Sequence, residues 1–435
     1  MPAVTELARP LTRLNATAMV AGTIIGASIF VQPSEIARHL ATPTAIMAVW
    51  LGCGLLTLFG ALVCAELASA FPETGGLYVF LREAFSPLAG FLWGWAMFWS
   101  VHTGIIAVIA MVFARYSAAL LRLDESSVPF VAVAVIILLS ALNYVGVKAG
   151  GRTQTAFTIA KLAGVALIVV VGFAVPVPAQ AAAAAVAETG PTSLRAFLLA
   201  MVAGLFAYGG WHMVTYTAGE TTMPSRTIPF ALLTGVAIVS VSYVALNLAY
   251  LHVLPLEAVR SSTRIAADAA DALLGRGGSA VMSALVMMSS FGALTGIVLT
   301  GPRLYYSMAR DGLAPRWIDY VHPRFRTPSR AILLQAAWSA VLAATGAYRE
   351  LFTRVVYTEW LFFGMMAGGL ILLRRRPDYA PSYRAWGFPV VPIVFMLSAF
   401  TIVVNQFIST PLQAATGLGL VALGVPIYYL LDARR

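Results

Sequence analysis

"GTIIGASIF" (residues 22–30) lies in the middle of an apolar stretch long enough to cross a bilayer. Two glycines, a threonine and a serine are a poor choice for an uninterrupted helix there, where Ala and Leu have the better propensity. The composition predicts that the helix stops at this point. A second stretch of the same kind, "GLFAYGGW" (204–211), lies in the sixth apolar segment, five segments later. An odd offset sets the two copies in opposite senses across the membrane, as in an inverted-topology repeat, and such a matched pair points to a binding site at the midplane. The competing reading, close helix packing through small residues, fits one such segment more easily than two at matching positions.

The rest of the chain sets this pair in lipid. Of 435 residues, 60% are hydrophobic and 11% charged, against about 25% charged in soluble domains. Apolar segments of about 20 residues, the length that crosses a hydrocarbon core, recur at 14–38, 43–70, 86–120, 128–147, 153–176, 195–220, 226–254, 277–309, 328–347, 353–374, 389–407 and 411–432. The expected fold is therefore an all-α integral membrane protein of twelve spans. The first segment is too long, and too poor in a small-residue cleavage site, to be a removable signal. The net charge of +10 is spread over short loops and forms no single basic face, so no nucleic-acid partner is expected. With the N-terminus inside, 18 Lys and Arg fall in cytoplasmic segments against 9 outside, which predicts cytoplasmic termini of a multi-pass protein of the cell's inner (plasma) membrane.

The organisation follows from the repeat. Residues 1–176 form the first half (spans one to five), 177–194 an Ala/Pro-rich external linker, 195–374 the second half (spans six to ten), and 375–435 two further spans and a tail. Residues 253–278 read as one amphipathic external helix, and 309–330 as a basic cytoplasmic loop broken by Pro and Gly. Cys53 and Cys64, in one helix and about 16 Å apart at 1.5 Å per residue, are too distant to be bridged and read as small buried hydrophobes. No GxxxxGK[ST] motif, metal-ligand spacing or nucleophile–base constellation is present. Neither catalysis nor a cofactor or metal is expected.

A helix interrupted in mid-membrane exposes N–H groups at one stump and carbonyls at the other, and lipid tolerates them only where something polar fills the break. An α-amino acid does so, its carboxylate against amides at a positive helix end and its ammonium against unwound carbonyls.

Four stretches in order, "GTIIGASIFVQP" (22–33), "CAELASAFPETGGLYVFLREAFSP" (64–87), "LFAYGGWHMVTYTAGETTMPSRTIP" (205–229) and "ARDGLAPRW" (309–317) with "RTP" (326–328), resemble the amino acid–polyamine–organocation superfamily, most closely its L-type branch. The resemblance covers nearly the whole chain. It implies the leucine-transporter-like fold, a 5+5 inverted repeat with helices 1 and 6 broken. It places the substrate carboxylate on amides around Gly26, Ala27 and Ser28, and the ammonium on the carbonyls of Ile24, Phe206 and Gly209. Ala207 belongs to the same substrate-binding set, Phe206 is the aromatic gate and Trp211 a wall. Where relatives commonly read GSGIF this chain has Gly26-Ala27-Ser28-Ile29-Phe30, so a hydroxyl has moved and a glycine is lost, which favours smaller or differently placed ligands.

Only two lysines occur, and Lys161, in "TQTAFTIAKLAGVALIVV" (153–170), lies about two turns into the expected fifth span. A membrane charge marks function by default, unless its stem snorkels to the interface. The resemblance implies that its ammonium takes the place of a sodium ion between spans one and eight; burial, which disfavours the charged form, would further make it a proton switch. Glu66 and Glu220 match acidic positions that brace gates or sit at the interface. Glu359 is deeper and can pair or bind a proton. His212 adjoins the pocket, and His102, Asn143 and Asn247 read as structural.

These features predict sodium-independent secondary transport of L-amino acids, neutral ones first, by exchange or with protons. A polyamine or organic-cation carrier would need acidic pocket side chains, which the two broken stretches lack, and a non-transporting amino acid sensor would bind without moving its ligand. L-type relatives in animals join a heavy chain through a cysteine between spans three and four. "LRLDESSVP" (121–129) has none, so no disulfide-linked partner is expected and the chain is expected to act as a monomer.

Overall fold

The computed structural model describes residues 7–174, 192–262, 264–275 and 277–432. Among these the chain is helical, apart from an isolated parallel bridge between Leu11 and Thr221. Among the described residues nine helical stretches, some of them two elements joined, are long and apolar enough to cross a membrane. Large apolar side chains are exposed along them, Phe130, Leu167 and Val241 among them, as suits a lipid-facing surface.

Helix α1 (Arg13–Ile24) starts on a capping box in which the Thr12 hydroxyl accepts the Asn15 amide while Asn15 Oδ1 accepts that of Thr12. It ends at Ile24. A single 3₁₀ turn (Ser28–Phe30) separates it from α2 (Gln32–His39), so the first predicted segment is two helices. Next come α3 (Pro43–Ala70), α4 (Leu77–Ala84) and α5 (Pro87–Ala96), which a π turn over Met97–Val101 joins to α6 (His102–Leu121), then α7 (Val128–Val145) and α8 (Val147–Ala174). Helix α9 (Leu194–Ala207) stops at the second predicted break and resumes as a 3₁₀ helix over Trp211–Glu220. Gly210 at that junction has φ +95°, a left-handed conformation that only glycine adopts cheaply.

The remaining helices are α10 (Pro224–Val253), α11 (Leu256–Ser261), α12 (Ile265–Leu274), α13 (Gly278–Arg310), α14 (Ser329–Thr345), α15 (Tyr348–Leu373), α16 (Val390–Ser409), α17 (Pro411–Ala422) and α18 (Gly424–Asp432). The two broken helices lie at the centre: α1 packs on α8, α10 and α13, and the Trp211–Glu220 segment on α1, α10 and α13. Gly22 permits the approach to α8, because a Cβ there would collide with Gln154 and Thr158.

Three expectations change. The fifth span starts at Val147, six residues before the predicted 153, because "VKAGGR" (147–152) continues the helix instead of forming a loop. The amphipathic stretch 253–278 is two helices, α11 and α12. Arg303, counted with the cytoplasmic cations although inside the predicted span 277–309, is fully buried in α13, which runs through Pro302 to Arg310. Most of the predicted linker, residues 177–191, lies outside the described residues.

Candidate functional site

The two breaks meet. The Thr23 hydroxyl, bonded to its own helix at Met19 O (2.7 Å), also lies 3.2 Å from the Gly210 carbonyl across the junction. The Tyr243 hydroxyl on α10 lies 3.0 Å from Ile24 O and 3.1 Å from Ala207 O, so one side chain caps the last carbonyls of both broken helices. A tyrosine in a long apolar helix reads in sequence as packing, and this role was not predicted.

The carbonyl count at the end of α1 explains the neighbouring lysine. An unbroken helix would give Gly22 O the amide of Gly26, but that amide turns back to Ile24 O at 2.8 Å. Gly22 O is thereby released. Lys161 Nζ fills the gap, donating to Gly22 O (2.9 Å), Ile25 O (2.5 Å) and, from α13, Ser289 O (3.2 Å). Lys161 is fully buried and sits 14 residues into α8, so it does not snorkel. Its three acceptors match the three N–H bonds of an ammonium, and the C-terminal end of α1 attracts a cation. The Ser289 hydroxyl adds bonds to Ile25 O and Gly26 O at 3.3 and 3.2 Å.

Beside the junction is a cavity of about 310 Å³. Its lining reaches from the breaks to Gln32, at the start of α2, and Gln406, near the end of α16, and so faces away from the end of the bundle where α1 begins. Of the residues expected to bind substrate, Ile24, Gly26, Ala27, Ser28, Phe206, Gly209 and Trp211 line it, whereas Ala207 does not. Among the described residues no backbone acceptor is found for the amides of Ala27, Ser28 and Ile29, while that of Gly26 is spent on Ile24 O. On the carbonyl side, Ile24 O accepts both Gly26 N–H and Tyr243 O–H, and Phe206 O accepts Gly209 N–H at 3.1 Å. Gly209 O has no such donor among the described residues. Phe206 is 40% exposed and projects into the space, and Trp211 is buried against Phe363 and Phe395.

Glu359 of α15 also lines the cavity, an acidic wall that the two broken stretches did not announce. Its Oε1 lies 3.7 Å from His212 Nε2, and among the described residues neither that oxygen nor either His212 nitrogen has a hydrogen-bond partner.

The opposite end of the bundle is closed by polar contacts. Leu11 N–H donates to Glu220 O and Thr222 N–H to Leu11 O. Below them Arg303 Nε donates to Glu220 Oε2 (2.7 Å), Nη2 to Oε1 (3.1 Å), and Nη1 to Asn143 Oδ1 (2.9 Å), all buried. Proline explains Asn143's other bond. Pro302 cannot donate to Val298 O, and the side-chain amides of Asn143 (3.0 Å) and Gln335 (3.1 Å) supply that carbonyl instead. Glu66 accepts two bonds from Arg374 and the Ala385 amide. Tyr78 and Arg82 of α4 both donate to Asp311; burial and the Asp311 carboxylate push the Tyr78 hydroxyl above its usual range, which keeps it a donor. Glu66 and Glu220 are thus buried partners of arginines, not interfacial charges. Asn143 cross-braces helices, while Asn247 bonds only its own helix at Tyr243 O.

Comparison with known proteins agrees with this arrangement. Residues 11–430 match the amino acid permease family. The chain is 30% identical to the human cystine/glutamate transporter over 98% of its own length and 85% of that protein's. It is 30% identical to the serine/threonine exchanger SteT of Bacillus subtilis over 99% and 98%, and 31% identical to the mouse Asc-type amino acid transporter 1 over 98% and 81%. By name these relatives are amino acid transporters, SteT an exchanger. The chain belongs to the amino acid permease family of the amino acid–polyamine–organocation superfamily, and is a membrane transport protein, not an enzyme.

Proposed function

We propose that this protein is a sodium-independent secondary transporter of L-amino acids, neutral ones first, working by alternating access through exchange or proton coupling. The observation that carries the reading is Lys161 Nζ on the carbonyls of Gly22, Ile25 and Ser289. A cation built into α8 occupies the place between α1 and α13 where a sodium ion would otherwise tie the broken helix to its neighbour, so no dissolved cation is needed.

In this reading the chain crosses the membrane twelve times, with spans one to five and six to ten as inverted repeats and both termini cytoplasmic in the plasma membrane. The substrate carboxylate docks on the free amides of Ala27, Ser28 and Ile29. The ammonium takes the Gly209 carbonyl first, because Ile24 and Phe206 already accept bonds. The cavity then faces outward, with the Arg303–Glu220 cluster closing the cytoplasmic side. The chain acts as a monomer without a disulfide-linked partner, a reading supported by the full burial of both cysteines.

Uptake of labelled L-serine, L-threonine and L-leucine into liposomes, with choline replacing sodium, tests this. Unchanged rates are expected, and a strict sodium requirement would refute it. Glu359 on the wall favours a second reading, a cationic substrate, for which L-arginine belongs in the same panel.

A further inference from the structure

We propose that Glu359 and His212 form the proton-carrying site of this protein, loading one proton with each substrate, an inference that rests on the transporter reading. The pair joins the cavity to the interior: Glu359 lines the wall, and His212 behind it is fully buried between Trp93, Trp211, Tyr216 and Phe363, with ring centroids 5.0 to 5.7 Å away. Around it, among the described residues, are polar atoms without hydrogen-bond partners: Glu359 Oε1, both His212 nitrogens and the Tyr305 hydroxyl. Buried polar atoms are ordinarily satisfied, and an unsatisfied one costs about 1–3 kcal/mol. So many together indicate a place whose contents change.

Lys161 does not fill this role. Its three carbonyl acceptors use three N–H donors, which only the ammonium has, so its proton is held in place. Glu359 has no such constraint. The titratable groups facing the pair are His102 on α6, beside His212, and Tyr216, which faces Glu359 and in turn Tyr305 on α13 and Cys64 on α3; among the described residues no Arg or Lys forms an ion pair with Glu359.

The sequence of states follows from hydration. The cycle requires that Glu359 be ionised and His212 neutral while the cavity is open to water, which then solvates the charge. When substrate enters and the cavity closes, an uncompensated carboxylate in a dry membrane interior is too costly. A proton from cavity water then binds, shared between the Glu359 carboxyl and the His212 ring, and the occluded pair is neutral. Opening to the other face rewets the site and releases it. The zwitterion adds no net charge, so each cycle moves one proton in the direction of the substrate.

Two measurements on purified protein test this. Counterflow of L-threonine at matched pH examines the transporter reading by itself. For the pair, protons taken up on L-threonine binding are obtained from calorimetry in buffers of different ionisation heat, and L-threonine uptake is followed with the lumen pH recorded by a dye. Wild type should take up about one proton per bound substrate, by the linkage of two ligands on one site, and acidify the lumen during uptake, faster with acid outside. E359Q should take up none and lose the response to a proton gradient; E359D should regain it, and H212Q should blunt it. Binding by wild type without proton uptake, or E359Q retaining it, overturns the proposal. So does E359Q losing only L-arginine uptake with proton movement intact, which would make the carboxylate an acceptor for a cationic substrate.

Discussion

Two buried cations sit in this bundle, and they are held differently. Arg303 meets a carboxylate, with both Glu220 oxygens within 3.1 Å and Asn143 completing its bonds. Among the described residues Lys161 meets no carboxylate, only three main-chain carbonyls from two helices, two of them exposed by the end of α1. The first is a lock between side chains, which a matched neutral pair can replace. The second compensates a defect in the backbone itself, and no second substitution can restore what its loss removes.

The largest expected effect is on the lock. R303M leaves Glu220 charged, buried and alone, at about 3–5 kcal/mol, whereas removing both charges of such a pair is often neutral. The thermal midpoint in detergent should therefore fall steeply for R303M and recover in R303M/E220Q. A double variant no more stable than the single would show that Arg303 acts through something other than its ion pair.

Lys161 comes next, with the opposite pattern. K161A strands the carbonyls of Gly22 and Ile25 in a dry interior and unties α1 from α8. Transport should fall about 100-fold, some 2.7 kcal/mol at 1.36 kcal/mol per decade, and no second substitution at Gly22, Ile25 or Ser289 should rescue it. Near-normal uptake by K161A would erase the distinction between the two cations.

These two sites also mark how far the sequence could be read. Both breaks were legible because glycine-rich polar stretches are anomalous in an apolar helix, and Lys161 because a charge there is. Its depth was misjudged, since "VKAGGR" has the composition of a loop yet packs as the first turns of α8. The predicted span 277–309 rightly ran through Gly301-Pro302, where Asn143 and Gln335 serve the carbonyl that proline leaves free, but nothing in it showed that Arg303 is buried against a carboxylate. Which arginine meets Glu66 or Glu220, and that Glu359 reaches the cavity, depend on contacts more than 80 residues apart in sequence. Helical periodicity carries no such information.

Tyr243 sharpens the comparison from the other helix end. Y243F removes the donor shared by Ile24 O and Ala207 O, at about 1–2 kcal/mol of stability. If that hydroxyl competes with a substrate ammonium for Ile24 O, the variant should be less stable yet bind L-threonine no more weakly. A large rise in Kd would mean that the hydroxyl itself contacts the ligand.

The smallest effect belongs to Ser289. Its side chain contributes a neutral hydroxyl to Ile25 O and Gly26 O, while its main-chain carbonyl accepts from Lys161. S289A deletes the first and keeps the second. Hydrogen bonds between membrane helices average about 0.6 kcal/mol, so uptake should drop no more than about threefold. The size of that drop separates two views of the break. If a polar neighbour of any kind suffices at the end of α1, the hydroxyl and the ammonium should matter comparably. If the unpaired carbonyls of a broken helix need a full positive charge, K161A should be far more damaging than S289A, because only the ammonium opposes the negative end of α1 as well as satisfying its acceptors.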